Sequence, residues 1–334
     1  MISRVGSRLA QAAAAWLLAV VLIFLAIRWL PGNPLFARFG QHPDIVQIEQ
    51  LRKDYGWDRP MVVQIGEFLW GLVTTGDLGK SLARSHVSVS AELRERVPAT
   101  IELTLAACLI AVPLGILAGV IAAMYRGRFP DYMSMAGALL GVSIPVFFLG
   151  MVLRGVFTGL PTSQRLPTHV FDFHSITGLY LVDTLLRGRP DLWLAAARHL
   201  ILPALTLSSV PTAIVARITR SCMLEVLSAD FIRTARAKGA STWRIIWRHA
   251  FPNAAVPVTN IAGLQIGLLL SGAVLTETVF DWPGLGQYVA AAVVRDRDYV
   301  AVQAAAIFIA GMFVVLNLLL DLAYLWLDPR IRGQ

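Results

Sequence analysis

Charge is scarce in this sequence. Asp, Glu, Lys and Arg make up 15% of the 334 residues, 56% are hydrophobic, and the mean hydropathy is +0.64. Soluble domains carry roughly 25% charged residues, so the composition excludes an ordinary soluble chain and reads as a membrane protein. Cysteine is scarcer: Cys108 and Cys222 are the two present. Both lie in or at the edge of apolar segments and read as packing residues rather than a disulfide or a metal pair. Acidic residues, 21 against 29 Lys and Arg, leave a net charge of +8. The positives sit at the ends of apolar runs, which is the pattern of membrane topology rather than of a nucleic-acid partner. Motifs that carry chemistry are missing too. No H-E-x-x-H or C-x-x-C occurs, and the spacings of His169, His174 and His199 build no metal face on a helix. No G-x-S-x-G occurs. No catalytic, cofactor or metal site is therefore predicted, and the chain is not expected to be an enzyme.

What the sequence has is long apolar runs. A span needs about 20 mostly apolar residues, and six candidates appear, at 9–29, 99–124, 132–157, 199–222, 256–280 and 300–327. The first is longer than the ~7–15-residue core of a signal peptide and closes without a small-x-small site, so it is read as a retained span. With the N-terminus inside, the inner segments hold Arg4, Arg8, Arg126, Arg128, the seven Lys and Arg from 217 to 248, Arg330 and Arg332. The two shorter outer loops hold Arg165, Arg187, Arg189, Arg198, Arg295 and Arg297. The bias predicts cytoplasmic termini. The long loop 30–98 counts little towards orientation, and its helical patterns at 45–55 and 60–73 predict a small folded outer cap after the turn cluster Leu30-Pro31-Gly32-Asn33-Pro34. Within it, Gly76-Asp77-Leu78-Gly79-Lys80-Ser81 imitates the end of a phosphate-binding loop. Thr74 stands where that motif needs glycine, no strand precedes it, and it lies on the wrong side for ATP; it is read as a turn.

Inside the spans, Gly115, Gly119, Gly137, Gly141, Gly150, Gly263, Gly267 and Gly272 are read as close-packing positions. The prolines of the fourth run, Pro203 and Pro211, are tolerated where neighbours satisfy the freed carbonyls. Pro145, Phe147 and Phe148 form a proline-broken aromatic segment, for which packing and lining a passage are both open. Arg154 either snorkels to the interface or faces water. Glu277 is a functional candidate by its depth, or else pairs with Arg295 or Arg297. Trp282, in the turn 280–286, is read as interfacial. Asn317 and Asp321 share one helix face, for bonding inside the bundle or for a substrate contact.

The most distinctive stretch is basic: SADFIRTARAKGASTWRIIWRHAFP, at 228–252. It reads as two short helices, the first capped by Ser228 or Asp230 and stopped at Gly239, the second capped by Ser241 and ended by Pro252. Arg233, Arg236, Lys238, Arg244 and Arg248 stand against Asp230 alone. A helix–glycine–helix between spans suits docking of a soluble partner; a plain basic loop that fixes topology is the bland alternative.

This stretch resembles the cytoplasmic loop of permeases of binding-protein-dependent ABC importers. Gly239 and Pro252 match the Gly and Pro of the general pattern, with Arg233, His249 and Phe251 in place of its Glu, Ile and Leu. Asp230 to Gly239 fits the dipeptide/oligopeptide form, D-[YF]-[IV]-R-T-A-R-A-K-G, at every position. Similar to that branch as well are L-P-G-x-P at residue 30, G-D-L-G-x-S at 76, R-x-P-A-T at 96, S-I-P-x-F-x-x-G at 143, E-T-V-F-x-W-P-G-L-G at 277 and D-P-R-[IV]-R at 328. Arg154 departs from an apolar position of the branch. The resemblance implies an all-α polytopic membrane protein: the six-helix transmembrane domain of a type I ABC importer, with residues 1–98 as first helix plus cap and 99–334 as a five-helix core containing the coupling loop 223–255. It implies a second homologous permease, two cytoplasmic P-loop ATPases that bind the ATP and Mg, and an external substrate-binding protein. It also implies an inner-membrane location and ATPase coupling through Asp230, Phe231, Ile232, Arg233, Thr234, Ala235, Arg236, Ala237, Lys238, Gly239 and Ala240. Peptide is the implied cargo; nickel chelates, glutathione or opines are alternatives within the branch. An ion-coupled secondary transporter would show internal repeats and mid-membrane ionisable residues, and a membrane enzyme a nucleophile–base or metal constellation; neither pattern is evident.

Overall fold

A computed structural model describes residues 2–29, 45–84, 87–170 and 173–327. The turn cluster 30–34 and the terminal motif 328–332 lie outside the described residues. The chain is built of helices: α1 (Ile2–Trp29), α2 (Ile45–Asp54), α3 (Met61–Thr75), α4 (Val89–Met124), α5 (Phe129–Ser143), α6 (Val146–Val156), α7 (Tyr180–Leu186), α8 (Pro190–Leu227), α9 (Asp230–Ala237), α10 (Thr242–Arg244), a π turn (Ile245–Ala250), α11 (Phe251–Gly272), α12 (Val274–Val279), α13 (Leu285–Val294) and α14 (Tyr299–Leu327). Among the described residues, five helices are long and apolar enough to cross a membrane, or six if the bent pair α5–α6 counts as one span.

Four of the expected spans need correction. The third, 132–157, is not one rod: α5 and α6 meet at 105°. Pro145 is the cause. The residue before a proline is pushed out of the helical region, and Ile144 is extended, at φ −82° and ψ 123°. The fifth, 256–280, begins far earlier, because α10, the π turn and α11 run on as one helical path over Thr242–Leu270. It also ends earlier, with 274–279 forming the separate α12. The second and fourth extend to Val89–Met124 and Pro190–Leu227.

The chain divides into two compact units, Met1–Thr100 with Pro283–Leu318, and Ile101–Trp282 with Leu319–Gln334. In the first, α1 packs on α14, where Trp16 Nε1 donates to the Ile307 carbonyl at 3.4 Å. Phe24 of α1 meets Phe68 of α3 at 5.3 Å. Asp298 caps α14 by accepting from Ala301 N at 3.0 Å, and its other oxygen accepts from Ser81 Oγ at 2.5 Å. The Gly76–Ser81 segment is thus a turn clamped to the start of α14. Of the two helical patterns foreseen in the cap, 45–55 appears as α2 and 60–73 as α3.

In the second unit α8 is the hub, packed by α5, α6, α7 and α11. Two-thirds of its apolar window is buried. Its buried face is small and hydroxylated, including Ala204, Thr206, Ala213, Ala216 and Thr219. Thr206, Ser208, Ser209 and Thr212 turn their hydroxyls back onto carbonyls of the same helix, whereas the Thr219 hydroxyl is buried without a partner. The small face lets α4 approach closely: a Cβ added at Gly119 would lie 2.5 Å from the Ala216 carbonyl oxygen and 2.5 Å from Thr219 Cβ. At Gly137, by contrast, an added Cβ meets nothing within 4 Å, so the packing expectation does not hold there. Gly119→Ala should lower stability by about 1–3 kcal/mol through overpacking against backbone. Gly137→Ala should be neutral or stabilise by up to ~1 kcal/mol. Thermal unfolding of the two variants in detergent checks the pair; equal midpoints would refute the close approach.

Candidate coupling site

The basic stretch is held on the second unit by its apolar residues and left exposed by its charged ones. Ile232 is fully buried in a cluster with Val120, Ala123, Met223, Ile245, Ile246, Ala250 and Ala254, and Ala235 and Ala240 pack at its edge. Burial of one such isoleucine is worth about 1.5–3 kcal/mol, enough to pin an eight-residue helix that would not persist alone. Arg233, Arg236, Lys238, Arg244 and Arg248 all face outward, with Thr234 and Ala237. The Asp230 and Arg233 side chains, 92% and 77% exposed, form a pair at 3.2 Å, which contributes little in solvent. Phe231 and Trp243 stay 47% and 72% exposed among these charges. Trp243, Trp247 and Phe251 follow one another at 5.5 and 5.3 Å, the spacing of aromatic neighbours on one helix face. The surface therefore offers aromatic contact ringed by positive charge.

Gly239 ends α9 as foreseen. It is left-handed, at φ +76°, with its N–H on the Arg236 carbonyl at 2.9 Å and the Ala240 N–H on the Ala235 carbonyl at 3.2 Å. This pair of bonds is the Schellman termination, which glycine accepts without a Cβ penalty. The N-terminal caps are different from the reading above. The residue preceding α9 is Ala229, with no side-chain cap. Ser228 instead turns its hydroxyl to the Glu225 carbonyl at 2.7 Å, and Asp230 is already inside the helix. Ser241 does precede α10, but makes no side-chain cap bond. Pro252 does not end the second helix. It is the second residue of α11, directly after the π turn that absorbs the change of register within the continuous path Thr242–Leu270.

Below the stretch, a cavity of about 370 Å³ is bordered by Arg126, Arg236, Leu227, Thr242 and Ile245. Nearby, Asp131 of α5 is 3% exposed and takes both Arg220 nitrogens of α8 at 2.6 and 2.8 Å. Its second oxygen also accepts from Gly127 N at 2.9 Å. This bidentate pair joins residues 89 positions apart, and no local pattern announces it.

The other candidates are spread out. Pro145, Phe147 and Phe148 are exposed on the bent pair. Glu277 is fully buried in α12, which packs against α6. Arg295 bonds Asp296 at 2.8 Å. Asn317 and Asp321 are half-buried on α14, the first in one unit and the second in the other. Arg154 is half-buried and donates to the carbonyl of Val279, the last residue of α12, with its guanidinium carbon 6.0 Å from the Phe280 ring centre. A cation at a helix C-terminus is favourable, so Arg154 fastens α6 to α12. Trp282 is not interfacial. It is 1% exposed and lies 5.6 Å from Arg165, whose guanidinium also covers Tyr180 at 3.6 Å.

Arg165, counted among the outer-loop charges, is buried. It and Glu102 are 5% and 7% exposed and bond at 2.6 Å. Arg165 also donates to the Gly178 carbonyl at 2.7 Å, and Glu102 accepts from Leu181 N at 2.7 Å. Asp183, fully buried, collects the N–H groups of Ile176, Thr177 and Gly178. Burial alone would raise its carboxyl, but the bonds from Thr177, Ile176 and Gly178 outweigh that and hold it below the ordinary carboxylate range. His199 is buried with Nδ1 2.9 Å from the Ser163 carbonyl. Among the described residues no cluster of His, Cys, Asp and Glu has the form of a metal site.

Residues 89–333 match the family described as binding-protein-dependent transport system inner membrane component. Over 340 aligned residues the chain is 42% identical to the di/tripeptide transport system permease protein DppB of Pseudomonas aeruginosa strain UCBPP-PA14, covering all of both chains. It is 42% identical to the dipeptide transport system permease protein DppB of Escherichia coli strain K12, over 94% of each chain. It is 43% identical to the probable D,D-dipeptide transport system permease protein DdpB of the same strain, over 94% of this chain and 93% of the relative.

Proposed function

The chain belongs to the inner membrane components of binding-protein-dependent transport systems, and from that membership we propose that it is the permease subunit of an ATP-driven importer of di- and oligopeptides. It is a multi-pass protein of the bacterial inner membrane, and its transport system includes a substrate-binding protein. The names of the three relatives all carry peptides, which favours peptide cargo over nickel chelates, glutathione or opines. In this reading a second, homologous permease supplies the other half of the pathway, and two P-loop ATPases bind the ATP and Mg. The Lys and Arg bias supports cytoplasmic termini, with residues 228–252 on the ATPase side.

The observation that carries the coupling role is the arrangement of α9. One fully buried isoleucine and a glycine-terminated C-terminus fix it to the same apolar cluster as α8 and the π turn, while Phe231, Arg233 and Arg236 remain exposed. A push on that helix passes to α8 and α11 through packed side chains rather than through a slack loop. Affinity purification of this chain from its native membrane tests the assembly. Recovery of a second permease and two P-loop ATPases is expected; a chain that purifies alone and transports in vesicles without ATP would replace this reading with ion-coupled transport.

The charged rim has its own test. Reversing Arg233 and Arg236 together to Glu should cut ATPase recovery by about tenfold or more, if the exposed positive charges meet complementary charge on the partner. The buried anchors are untouched, so the amount of permease in the membrane should not change. Undiminished co-purification would mean that the dock is not electrostatic.

A further inference from the structure

The first unit contains a cavity of about 170 Å³ at the end of the membrane where α1 finishes and α14 begins. Two polar side chains in its wall are unsatisfied. Arg28 donates through Nε to Gln64 at 3.2 Å, but its Nη1 is buried without a partner. Gln303, 3% exposed, has its Oε1 buried without a partner. The guanidinium carbon of Arg28 lies 4.7 Å from the Phe24 ring centre and 4.2 Å from that of Trp57, so aromatic faces hold the cation in place. Lys80 adds a second positive charge to the same wall. The acid there, Glu67, is engaged by Arg59.

A buried cation without an anion is costly. A buried amide oxygen without a donor is costly as well. The two together call for a ligand that carries an anionic acceptor and, close by, a hydroxyl or ammonium donor. The surroundings narrow the source. Trp29 on α1 and Trp70 on α3 are each 73% exposed, and Val62 on α3 is 81% exposed. Helix α3 is apolar but, at 15 residues, too short to span a bilayer. Such aromatic and aliphatic exposure at the end of a span belongs at the lipid interface.

We propose that this cavity binds the headgroup of an anionic phospholipid, with Arg28 and Lys80 on the phosphate and Gln303 on a headgroup hydroxyl. The ligand satisfies both orphaned groups at once and ties α1, α3 and α14 to the membrane surface.

The test is made on the purified, delipidated transporter complex without peptide, by native mass spectrometry and thermal unfolding. Phosphatidylglycerol, phosphatidylcholine and inorganic phosphate are the probes. Wild type should retain phosphatidylglycerol at least ~10-fold better than phosphatidylcholine, and Arg28→Gln should remove that preference, as loss of one charged hydrogen bond predicts. Lys80 is exposed, so Lys80→Gln tests the site without threatening the fold; it should weaken retention by about threefold. Equal binding of the two lipids, or unchanged retention in both variants, overturns the site. Stabilisation by inorganic phosphate equal to that by phosphatidylglycerol overturns the lipid assignment, as does displacement of the lipid by a dipeptide. None of these readouts depends on cargo transport or on the ATPases, so the site and the importer reading fail separately.

Discussion

Gly239→Pro is expected to lower peptide uptake by about 100-fold or more while leaving the amount of protein in the membrane unchanged. Gly239 sits at φ +76°, and proline is locked near −65°. The substitution also deletes the N–H that bonds the Arg236 carbonyl at 2.9 Å. Both halves of the helix termination fail, so α9 can no longer hold its angle to the π turn. The position touches no span, and a Cβ added there meets nothing within 4 Å. Gly239→Ala therefore isolates the backbone term, about 1–2 kcal/mol for a left-handed L-residue, and should give a partial defect. Uptake of labelled dipeptide, normalised to immunoblotted permease, measures both. Normal uptake by the proline variant would show that α9 does not transmit the ATPase stroke.

Glu102→Gln should be the most destabilising conservative change in the second unit. It leaves the Arg165 guanidinium, 5% exposed, as a buried charge without its counter-ion. Breaking such a pair from one side costs about 3–5 kcal/mol, whereas replacing both partners by apolar groups is often nearly neutral. The double variant Glu102→Leu, Arg165→Met should accordingly recover part of the loss, though not all of it. Glu102 also accepts from Leu181 N, and Arg165 donates to the Gly178 carbonyl, and those groups stay orphaned. A double-mutant cycle read by thermal unfolding in detergent isolates the coupling. A single variant within ~0.5 kcal/mol of wild type would remove the pair from any structural role.

How far the sequence could be read depended on the range of the forces involved. Gly239 was legible because the left-handed stop is a local demand and glycine is its local answer. The spans were legible because 20 apolar residues have few other uses. Proline misled in both directions. At 252 it looked like a terminator yet lies inside a continuous helical path, and at 145 its power to break a span was seen without the 105° turn that follows. The pairs Asp131–Arg220 and Glu102–Arg165 were illegible, since only packing decides which of many charges meet. Trp282 was misread for the same reason. An interfacial tryptophan is a sound expectation for a single residue, but Trp282 is buried beside Arg165 from a distant segment.

The π turn at 245–250 has a geometric consequence. An α-helix advances about 100° per residue, and a π turn accommodates one extra residue without breaking the rod. Trp243 and Arg244 are therefore out of phase with α11 by roughly that angle, compared with an uninterrupted α-helix. That offset sets the azimuth of the exposed aromatic and basic side chains relative to the membrane helix that bears them. Excising one residue between 245 and 250 would restore the ordinary phase, swing that face by about a quarter turn or slightly more, and leave the composition of the segment almost unaltered. In this segment the direction of a side chain is encoded by residue count as much as by residue type.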